Sequence, residues 1–324
     1  MTRGRSQSVH VRHALRSLIG ASTIAGLAGC SGAAIPTPTA HTSTPQTTVT
    51  VGTPAATATP TLAPPTTLAA CAAAVTRAAL HVVHRFAVSP DDIAIDTSGR
   101  LWVSAREADQ LIGLNPDGSR VTTSIVSGGP EGVVAAGPGI YVAQQNLNAI
   151  AEVTPQRRQV IALPNRTANA GIDGIAIGAI TQTLLVPDSP NGTLIGLSLA
   201  GPPSPRVLAT HLGRPVSAAV GPSGDIFVAS ESSPGLVAIA PGGAVRKIGD
   251  FTDLDEVVAY AGLLYVTELD RHDVVAVDPA SGVSSPLAVG LPAPQGLAVT
   301  ANGTLEIVDA TTDTLYSLPA CGVA

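Results

Sequence analysis

Short apolar runs separated by glycine-containing turns fill the chain from about residue 90 to its end. The runs are rich in Val, Ile and Leu, which suit a pleated and buried surface. Dipeptides such as Ser98-Gly99, Asp117-Gly118 and Asn302-Gly303 supply the positive φ that tight hairpins need. No segment keeps a 3.6-residue period, apart from a hint of helical spacing over residues 72–80. The pattern therefore predicts many short antiparallel strands.

One phrase recurs six times along these strands, at intervals of about 40 residues. It consists of Pro or a substitute, an acidic or amide residue, a small residue and two or three aliphatic residues, with a β-rich run after it. The copies begin at Pro90, Pro130, Ile172, Pro215, Leu254 and Pro294. Four strands in about forty residues is the size of one propeller blade. The sequence thus predicts an all-β fold, a six-bladed β-propeller over residues 71–324.

The two ends of the predicted propeller together supply the strands of one complete blade. The sixth copy has room for three strands before about residue 318, and a strand over residues 81–88 can supply the fourth. Antiparallel pairing of these strands would bring Cys71 and Cys321 to the same rim. A disulfide between them is expected in an oxidising compartment. Two free thiols are the alternative.

The N-terminal segment has the layout of a secretory signal. Four arginines and no acidic residue precede an apolar run over residues 18–29, which is shorter than the ~20 residues that a membrane span needs. The run ends in Leu27-Ala28-Gly29-Cys30, which resembles the lipobox of bacterial lipoproteins. The resemblance implies cleavage after residue 29 and a lipid on Cys30. A plain signal peptide with a stray cysteine is the alternative.

Residues 30–70 separate this signal from the propeller. They are almost entirely Thr, Pro, Ala, Ser and Gly without a charged side chain, so we expect a disordered tether. The chain carries a net charge of −6, and loss of the four signal arginines leaves −10. Such a protein has no positive face for nucleic acid or anionic lipid. We therefore expect a monomer that reaches the extracytoplasmic side of a cell membrane and is held there by lipid alone.

The repeats resemble known propellers. Residues 90–96 with residues 115–118 resemble an NHL repeat, and all six copies resemble the six-bladed propellers that include the gluconolactonase-like (regucalcin) family and the virginiamycin B lyases. The resemblance covers roughly residues 78–321. It implies the architecture more strongly than an activity, since this superfamily contains both enzymes and binding modules.

Acidic residues occupy equivalent positions in several copies. The second residue of each phrase should lie near the central channel, and these residues are Asp91, Glu131, Asp173, Val216, Asp255 and Gln295. The second strand returns to the same face and ends near Gln144, Asp188, Ser230, Glu268 and Asp309. Oxygen donors placed in this way either hold Ca²⁺ or another divalent cation or raise one another's pKa. The alternative is that they are solvated loop acids and strand-end caps.

The resemblance sharpens the metal interpretation. In the gluconolactonase-like family a divalent metal is held by Glu, Asn and Asp at channel positions, and Glu131 and Asp173 resemble the first and the last of these. Gln295 stands where the family has Asn, which puts lactonase chemistry in doubt. The lyases carry a His in the phrase, whereas here only His211 and His272, in loops on the acidic face, could act as bases.

Three functional hypotheses follow. The first is a membrane-anchored, non-catalytic propeller that binds a ligand or a protein partner of the cell envelope on its acidic channel face. The second is a metal-dependent hydrolase of the lactonase type, with Asp91, Glu131, Asp173 and Asp255 as candidate ligands. The third is a structural adaptor that uses the blade edges.

Overall fold

The computed structural model describes residues 66–155, 157–163, 171–178 and 182–323. Within these residues the chain forms twenty-five β-strands in six sheets, and its helices are single turns of 3-10 type. The predicted all-β, six-bladed propeller is confirmed. No helix in this part of the chain is long and apolar enough to cross a bilayer. The predicted signal segment, Cys30 and most of the predicted tether lie outside the described residues.

Two strands precede the first repeat, β1 (Val75–Thr76) and β2 (His81–Arg85). Blades 1 to 3 then follow in chain order. Blade 1 contains β3 (Ile93–Ile95), β4 (Leu101–Ala105), β5 (Gln110–Leu114) and β6 (Arg120–Ile125). Blade 2 contains β7 (Pro130–Ala136), β8 (Gly139–Gln144), β9 (Ala149–Thr154) and β10 (Arg158–Ala162). Blade 3 contains β11 (Ala176–Gly178), β12 (Thr183–Asp188), β13 (Thr193–Ser198) and β14 (Pro205–Thr210).

Blades 4 to 6 complete the ring. Blade 4 contains β15 (Pro215–Val220), β16 (Ile226–Ser230), β17 (Val237–Ile239) and β18 (Val245–Lys247). Blade 5 contains β19 (Leu254–Tyr260), β20 (Leu263–Glu268), β21 (Asp273–Val277) and β22 (Ser284–Val289). Blade 6 contains β23 (Pro294–Val299), β24 (Thr304–Asp309) and β25 (Thr314–Pro319). The 3-10 helices span Leu68–Ala70, Arg77–Ala79, Arg106–Ala108, Gln145–Leu147 and Ser189–Asn191.

The ring is closed as the sequence predicts. Strand β2 pairs antiparallel with β25, with His81 opposite Ser317, and so becomes the fourth strand of blade 6. The strand ends at Arg85, three residues earlier than predicted, because Phe86 turns into the core between blades 6 and 1. The predicted disulfide between Cys71 and Cys321 is also confirmed, across 250 residues of sequence.

The segment between Cys71 and β2 does not form the helix at which its residue spacing hinted. Strand β1 pairs parallel with β22 and becomes a fifth strand of blade 5, and the single 3-10 turn Arg77–Ala79 follows it. A nine-residue helix is marginal in water even for an Ala-rich sequence. The edge of blade 5 offers backbone partners instead, and Val75 packs against the apolar cluster of blades 5 and 6.

The core consists of apolar clusters between adjacent blades. The second strand of each blade contributes one large buried residue at an equivalent position. These residues are Trp102, Tyr141, Leu185, Phe227 and Tyr265 in blades 1 to 5. Blade 6 has Glu306 there, only 5% exposed, and burial raises the pKa of its carboxyl group to about 8. Blade 6 thus places a carboxyl group where the other blades place an aromatic or aliphatic side chain.

Candidate functional site

A bulge at the start of the innermost strand places the second residue of the phrase on the channel wall. In blade 2, Pro130 pairs with Gln144 and Val133 pairs with Val142, so β7 contains one extra residue. Blades 4, 5 and 6 have an irregularity at the same point. A bulge re-aims the side chain next to it and commonly lies beside functional sites. The recurring phrase in the sequence is therefore the signature of this bulge.

The channel mouth gathers four of the predicted acids. Asp91, Glu131, Asp173 and Asp255 line one small depression of about 10 Å³, together with Val216. They come from blades 1, 2, 3 and 5. Gln295 holds the equivalent place in blade 6 but is not among the residues that line this depression. The acids are therefore spread around most of the mouth.

Two further acids in this depression were missed from the sequence. Asp92 and Glu256 follow Asp91 and Asp255 directly and line the same depression. We call the six acids together the carboxyl ring: Asp91, Asp92, Glu131, Asp173, Asp255 and Glu256. The sequence carries a signal for the two additional members, because three of the six phrases have Gly after the channel residue, whereas the others have Asp, Ser or Glu.

The glycines at this position let neighbouring blades touch. The Gly132 N–H donates to the carbonyl of Asp173 at 3.0 Å, and a Cβ on Gly132 would lie 2.5 Å from that oxygen. The Gly174 N–H donates to the carbonyl of Val216 at 2.6 Å in the same way. These bonds join blade 2 to blade 3 and blade 3 to blade 4. Glycine is required here for close approach of two backbones.

Side chains make the corresponding links elsewhere. The Asp92 carboxylate accepts from the N–H of Val133 at 2.7 Å, joining blades 1 and 2, and from the N–H of Ile93 at 2.7 Å. The Ser217 hydroxyl accepts from the N–H of Val257 at 3.3 Å and donates to the Glu256 carboxylate, joining blades 4 and 5. The deeper acids therefore hold the blades together as well as lining the channel.

Burial and mutual repulsion raise the pKa values of five acids of the carboxyl ring. Burial raises the pKa of Asp91 to about 7, with Asp173 adding to the effect and Arg106 opposing it. Burial likewise raises the pKa of Asp92 to about 7, against its two backbone hydrogen bonds. Burial and neighbouring acids raise the pKa values of Glu131, Asp255 and Glu256 well above their ordinary range. Near neutral pH these five acids therefore favour protons or a bound cation over bare charges.

Two arginines lie at the rim, and neither was identified from the sequence. Arg106 lies 3.3 Å from Glu131 and also donates to the side chain of Gln145 at 3.1 Å. Arg214 lies 2.8 Å from Asp173 and pairs with Glu231 as well. Asp173 accepts in addition from the Ser189 hydroxyl at 2.9 Å. Arg106 and Glu131 lie 25 positions apart, and Arg214 and Asp173 lie 41 positions apart, so these two contacts could be identified only once the fold was known.

The predicted acids at the ends of the second strands lie outside this depression and bind their own turns. Asp188 accepts from the Asn191 amide at 2.8 and 3.0 Å. Glu268 lies 3.2 Å from Arg271, and burial raises the pKa of Glu268 to about 7. Asp309 accepts from the Thr312 N–H at 2.8 Å and the Thr312 hydroxyl at 3.0 Å. In each blade the partner is three residues further along the chain.

The remaining predicted candidates also have local surroundings. Gln144 donates to the carbonyl of Ser127 at 2.6 Å, and Ser230 accepts from the N–H of Ser232 at 3.3 Å. His211 and His272 are exposed in turns with φ of +61°. Among the described residues, no three His, Cys, Asp or Glu side chains are grouped as a metal site requires. The ring acids share a depression without converging on one point.

No family model matches the chain, and no curated protein matches it. Solved structures do share its architecture. A gluconolactonase from Xanthomonas campestris is 16% identical with a TM-score of 0.60, over 74% of this chain and 88% of that one. A putative gluconolactonase is 12% identical with a TM-score of 0.63, over 76% and 93%. A virginiamycin B lyase from Staphylococcus aureus, solved with quinupristin, is 17% identical with a TM-score of 0.54, over 71% and 80%.

The chain shares the six-bladed propeller fold of these proteins. The resemblance seen in the repeats is therefore confirmed at the level of architecture. At identities below 20% the likeness establishes the fold alone. What this propeller binds must be argued from its own carboxyl ring.

Proposed function

We propose that this propeller is a binding protein that accepts a positively charged group at the carboxyl ring. The observation that carries the proposal is the charge imbalance of the mouth, where six carboxyl groups face the guanidinium groups of Arg106 and Arg214. Burial raises the pKa of most of these acids, so protons occupy a site that a cation would fill more favourably. Charge attraction is strengthened where water is excluded.

The size of the depression favours a slim ligand group. Its volume of about 10 Å³ is roughly the space that one water molecule needs, and it lies far below the ~300–1,000 Å³ of pockets that enclose drug-sized molecules. A primary ammonium group, which is close to water in size, suits such a space. A partner protein could present that group on a Lys side chain, and a small alkylammonium compound could present it alone.

The surroundings of the ring favour binding over catalysis. Nucleophilic catalysis needs a hydroxyl or thiol activated by a nearby base. The Ser217 hydroxyl is engaged with Glu256, and the Ser189 hydroxyl with Asp173 and the carbonyl of Pro215 at 2.6 Å. These hydroxyls serve the contacts between blades, and the two candidate histidines lie in exposed turns.

The proposal includes attachment to the extracytoplasmic side of a cell membrane through lipid on Cys30. The disulfide between Cys71 and Cys321 supports export, because such bonds persist in oxidising compartments. Expression with labelled palmitate should label the wild-type chain and leave Cys30→Ser unlabelled and released from membranes. Equal labelling of both would overturn the anchor.

Cation binding can be tested with 1,4-diaminobutane on the mature protein. A saturating diamine should raise the unfolding temperature, since a ligand at 100 times its Kd stabilises by about 2.7 kcal/mol. The effect should be larger at pH 8 than at pH 6, because bound protons must leave the ring. Asp91→Asn combined with Asp255→Asn should abolish the shift.

The matched control replaces acids outside the ring. Asp117 and Asp278 lie in turns of blades 1 and 5, so their double replacement by Asn removes the same charge without touching the mouth. This control should keep the full diamine response. An unchanged unfolding temperature, or an equal shift in the ring variant, would contradict the proposal.

A metal-dependent lactonase-type hydrolase is the second candidate. It is favoured by Glu131 and Asp173 on adjacent blades and by the shared fold with the Xanthomonas gluconolactonase. The acids as placed do not form a metal group, and Asp173 already contacts Arg214 and Ser189, so the residues fit a metal poorly. Lactone hydrolysis that needs Ca²⁺ or Zn²⁺ and disappears in Glu131→Gln would replace the first proposal by this one.

A further inference from the structure

A second depression lies at the opposite end of blades 1 and 2, and we call it the lower groove. It has a volume of about 340 Å³, within the range of pockets that hold small molecules. The turn between β3 and β4 forms one wall, and the turn between β7 and β8 forms the other. The residues important here are Asp96, Arg100, Trp102, Gly137, Pro138 and Ile140. The groove is separate from the carboxyl ring, which lies where the innermost strands begin.

Asp96, the acid that lines this groove, accepts four hydrogen bonds from nearby residues. Asp96 accepts from the N–H and hydroxyl of Ser98 at 2.8 and 2.6 Å, from the N–H of Arg100 at 3.1 Å and from the Trp102 indole at 2.9 Å. Burial opposes ionisation of Asp96, but these hydrogen bonds outweigh it and lower its pKa. Asp96 is therefore a structural anion whose oxygens are directed at its own turn.

Arg100 is left without a carboxylate partner in the groove. Its guanidinium carbon lies 5.8 Å from the centre of the Trp102 ring, and its Nε is buried with no hydrogen-bond partner. Arg106, Arg158, Arg214 and Arg271 all contact a carboxylate, whereas no ion pair of the described residues includes Arg100. Trp102 holds this cation in place, and its charge remains available to a ligand.

The opposite wall supplies open space and apolar surface. Gly137 adopts φ of +57°, and a Cβ there would meet no atom within 4 Å. Pro138 and Ile140 follow it and line the groove. A ligand with one negative end and a hydrocarbon body would thus place the two parts against different walls.

We propose that the lower groove binds a small organic carboxylate. The fork of Arg100 matches the two oxygens of a carboxylate. A single guanidinium suits a monoanion better than a doubly charged phosphate, since no other groove residue is cationic. The hydrocarbon part of the ligand lies on Pro138 and Ile140.

Trp102 makes the proposal directly testable, because it is the only tryptophan of the chain. The mature protein is titrated with cyclohexanecarboxylate while tryptophan emission is followed. A saturable change is expected, and calorimetry should give the same Kd. Arg100→Gln should weaken binding at least tenfold, and Arg100→Lys should weaken it less because the charge remains. Arg120→Gln removes an exposed arginine from the same blade and should change nothing.

Neutral and phosphate probes separate the possible outcomes. Cyclohexylmethanol should not bind, because it lacks the charge, and inorganic phosphate should not compete. Binding of phosphate in preference to the carboxylate would overturn the assignment. An absent signal, or equal binding by Arg100→Gln in calorimetry, would remove the site altogether.

Discussion

Two sets of acids at the same end of the blades have opposite surroundings. The turn acids Asp188 and Asp309 are buried, and each accepts hydrogen bonds from the residue three positions later. The ring acids Asp91 and Asp255 lie one strand closer to the axis. Their charged neighbours include other carboxyl groups, which raise their pKa values. An acid with a donor built into its own turn stabilises the blade, whereas an acid that faces other acids makes the ring depend on protons or a ligand.

Glu306 is a buried acid whose pKa is raised by burial alone. Its replacement should change the free energy of unfolding more than replacement of a turn acid or a ring acid. Burial raises the pKa of Glu306 from 4.5 to about 8. The folded chain therefore keeps a proton that the unfolded chain releases, so stability should fall as pH rises from about 4.5 towards 8. Glu306→Gln should remove this loss and raise the free energy of unfolding at pH 8 by about 3 kcal/mol. Urea unfolding at pH 5 and pH 8 measures the change.

Glu107→Gln is the control for that experiment. Glu107 is an exposed acid on blade 1, with 79% of its side chain accessible. Its replacement should leave the pH dependence of unfolding as in the wild type. Parallel stability curves for Glu306→Gln and wild type would mean that burial does not hold the proton on Glu306.

Removal of a turn acid should have the opposite sign. Asp309 is fully buried and accepts from Thr312 and, at 3.3 Å, from the N–H of Ala293. Asp309→Ala leaves these donors without a partner and should lower the free energy of unfolding by about 2–3 kcal/mol. Asp309→Asn keeps an acceptor and should cost less. The comparison between turn and ring acids fails if Asp309→Ala unfolds at the wild-type urea concentration.

Replacement of a ring acid should give a smaller gain. The pKa of Asp91 is raised to about 7, so the folded state resists its ionisation and loses stability as pH rises from about 3.8 to 7. Asp91→Asn should raise the free energy of unfolding by about 1 kcal/mol at pH 8, after allowance for the partial exposure of Asp91. The gain should shrink towards pH 4 in thermal melts. A loss of stability at pH 8 would place Asp91 with the turn acids.

Much of the fold could be predicted because it is repeated. Six copies of one phrase define the blades, and the shortage of a strand in the last copy points to closure by β2 and to the pairing of Cys71 with Cys321. Strand β1 could not be predicted, since two residues carry no periodicity. Its conformation is set by the exposed edge of β22, which local sequence does not encode.

Less of the candidate site than of the fold could be predicted from the sequence. The channel position of Asp91 and Glu131 follows from the repeat, but the addition of Asp92 and Glu256 requires a comparison of the next position in all six phrases. A comparison of the second strands of the six copies could likewise have identified Glu306, because the other five copies have an aromatic or aliphatic residue at that position. The contacts of Arg106 with Glu131 and of Arg214 with Asp173 join neighbouring blades, so only the packing of one blade against the next brings them together.

The disulfide also determines how the molecule carries mechanical load. The ring is closed by the pairing of β2 with β25, a seam of five residues that a pull on the N-terminus would peel apart. Cys71 lies upstream of β2 and is bonded to Cys321, just past the end of β25. Tension applied to the chain before Cys71 would thus pass through a covalent bond into the C-terminal end of blade 6. The seam itself would remain unloaded, so a pull on the chain before Cys71 would not open the propeller.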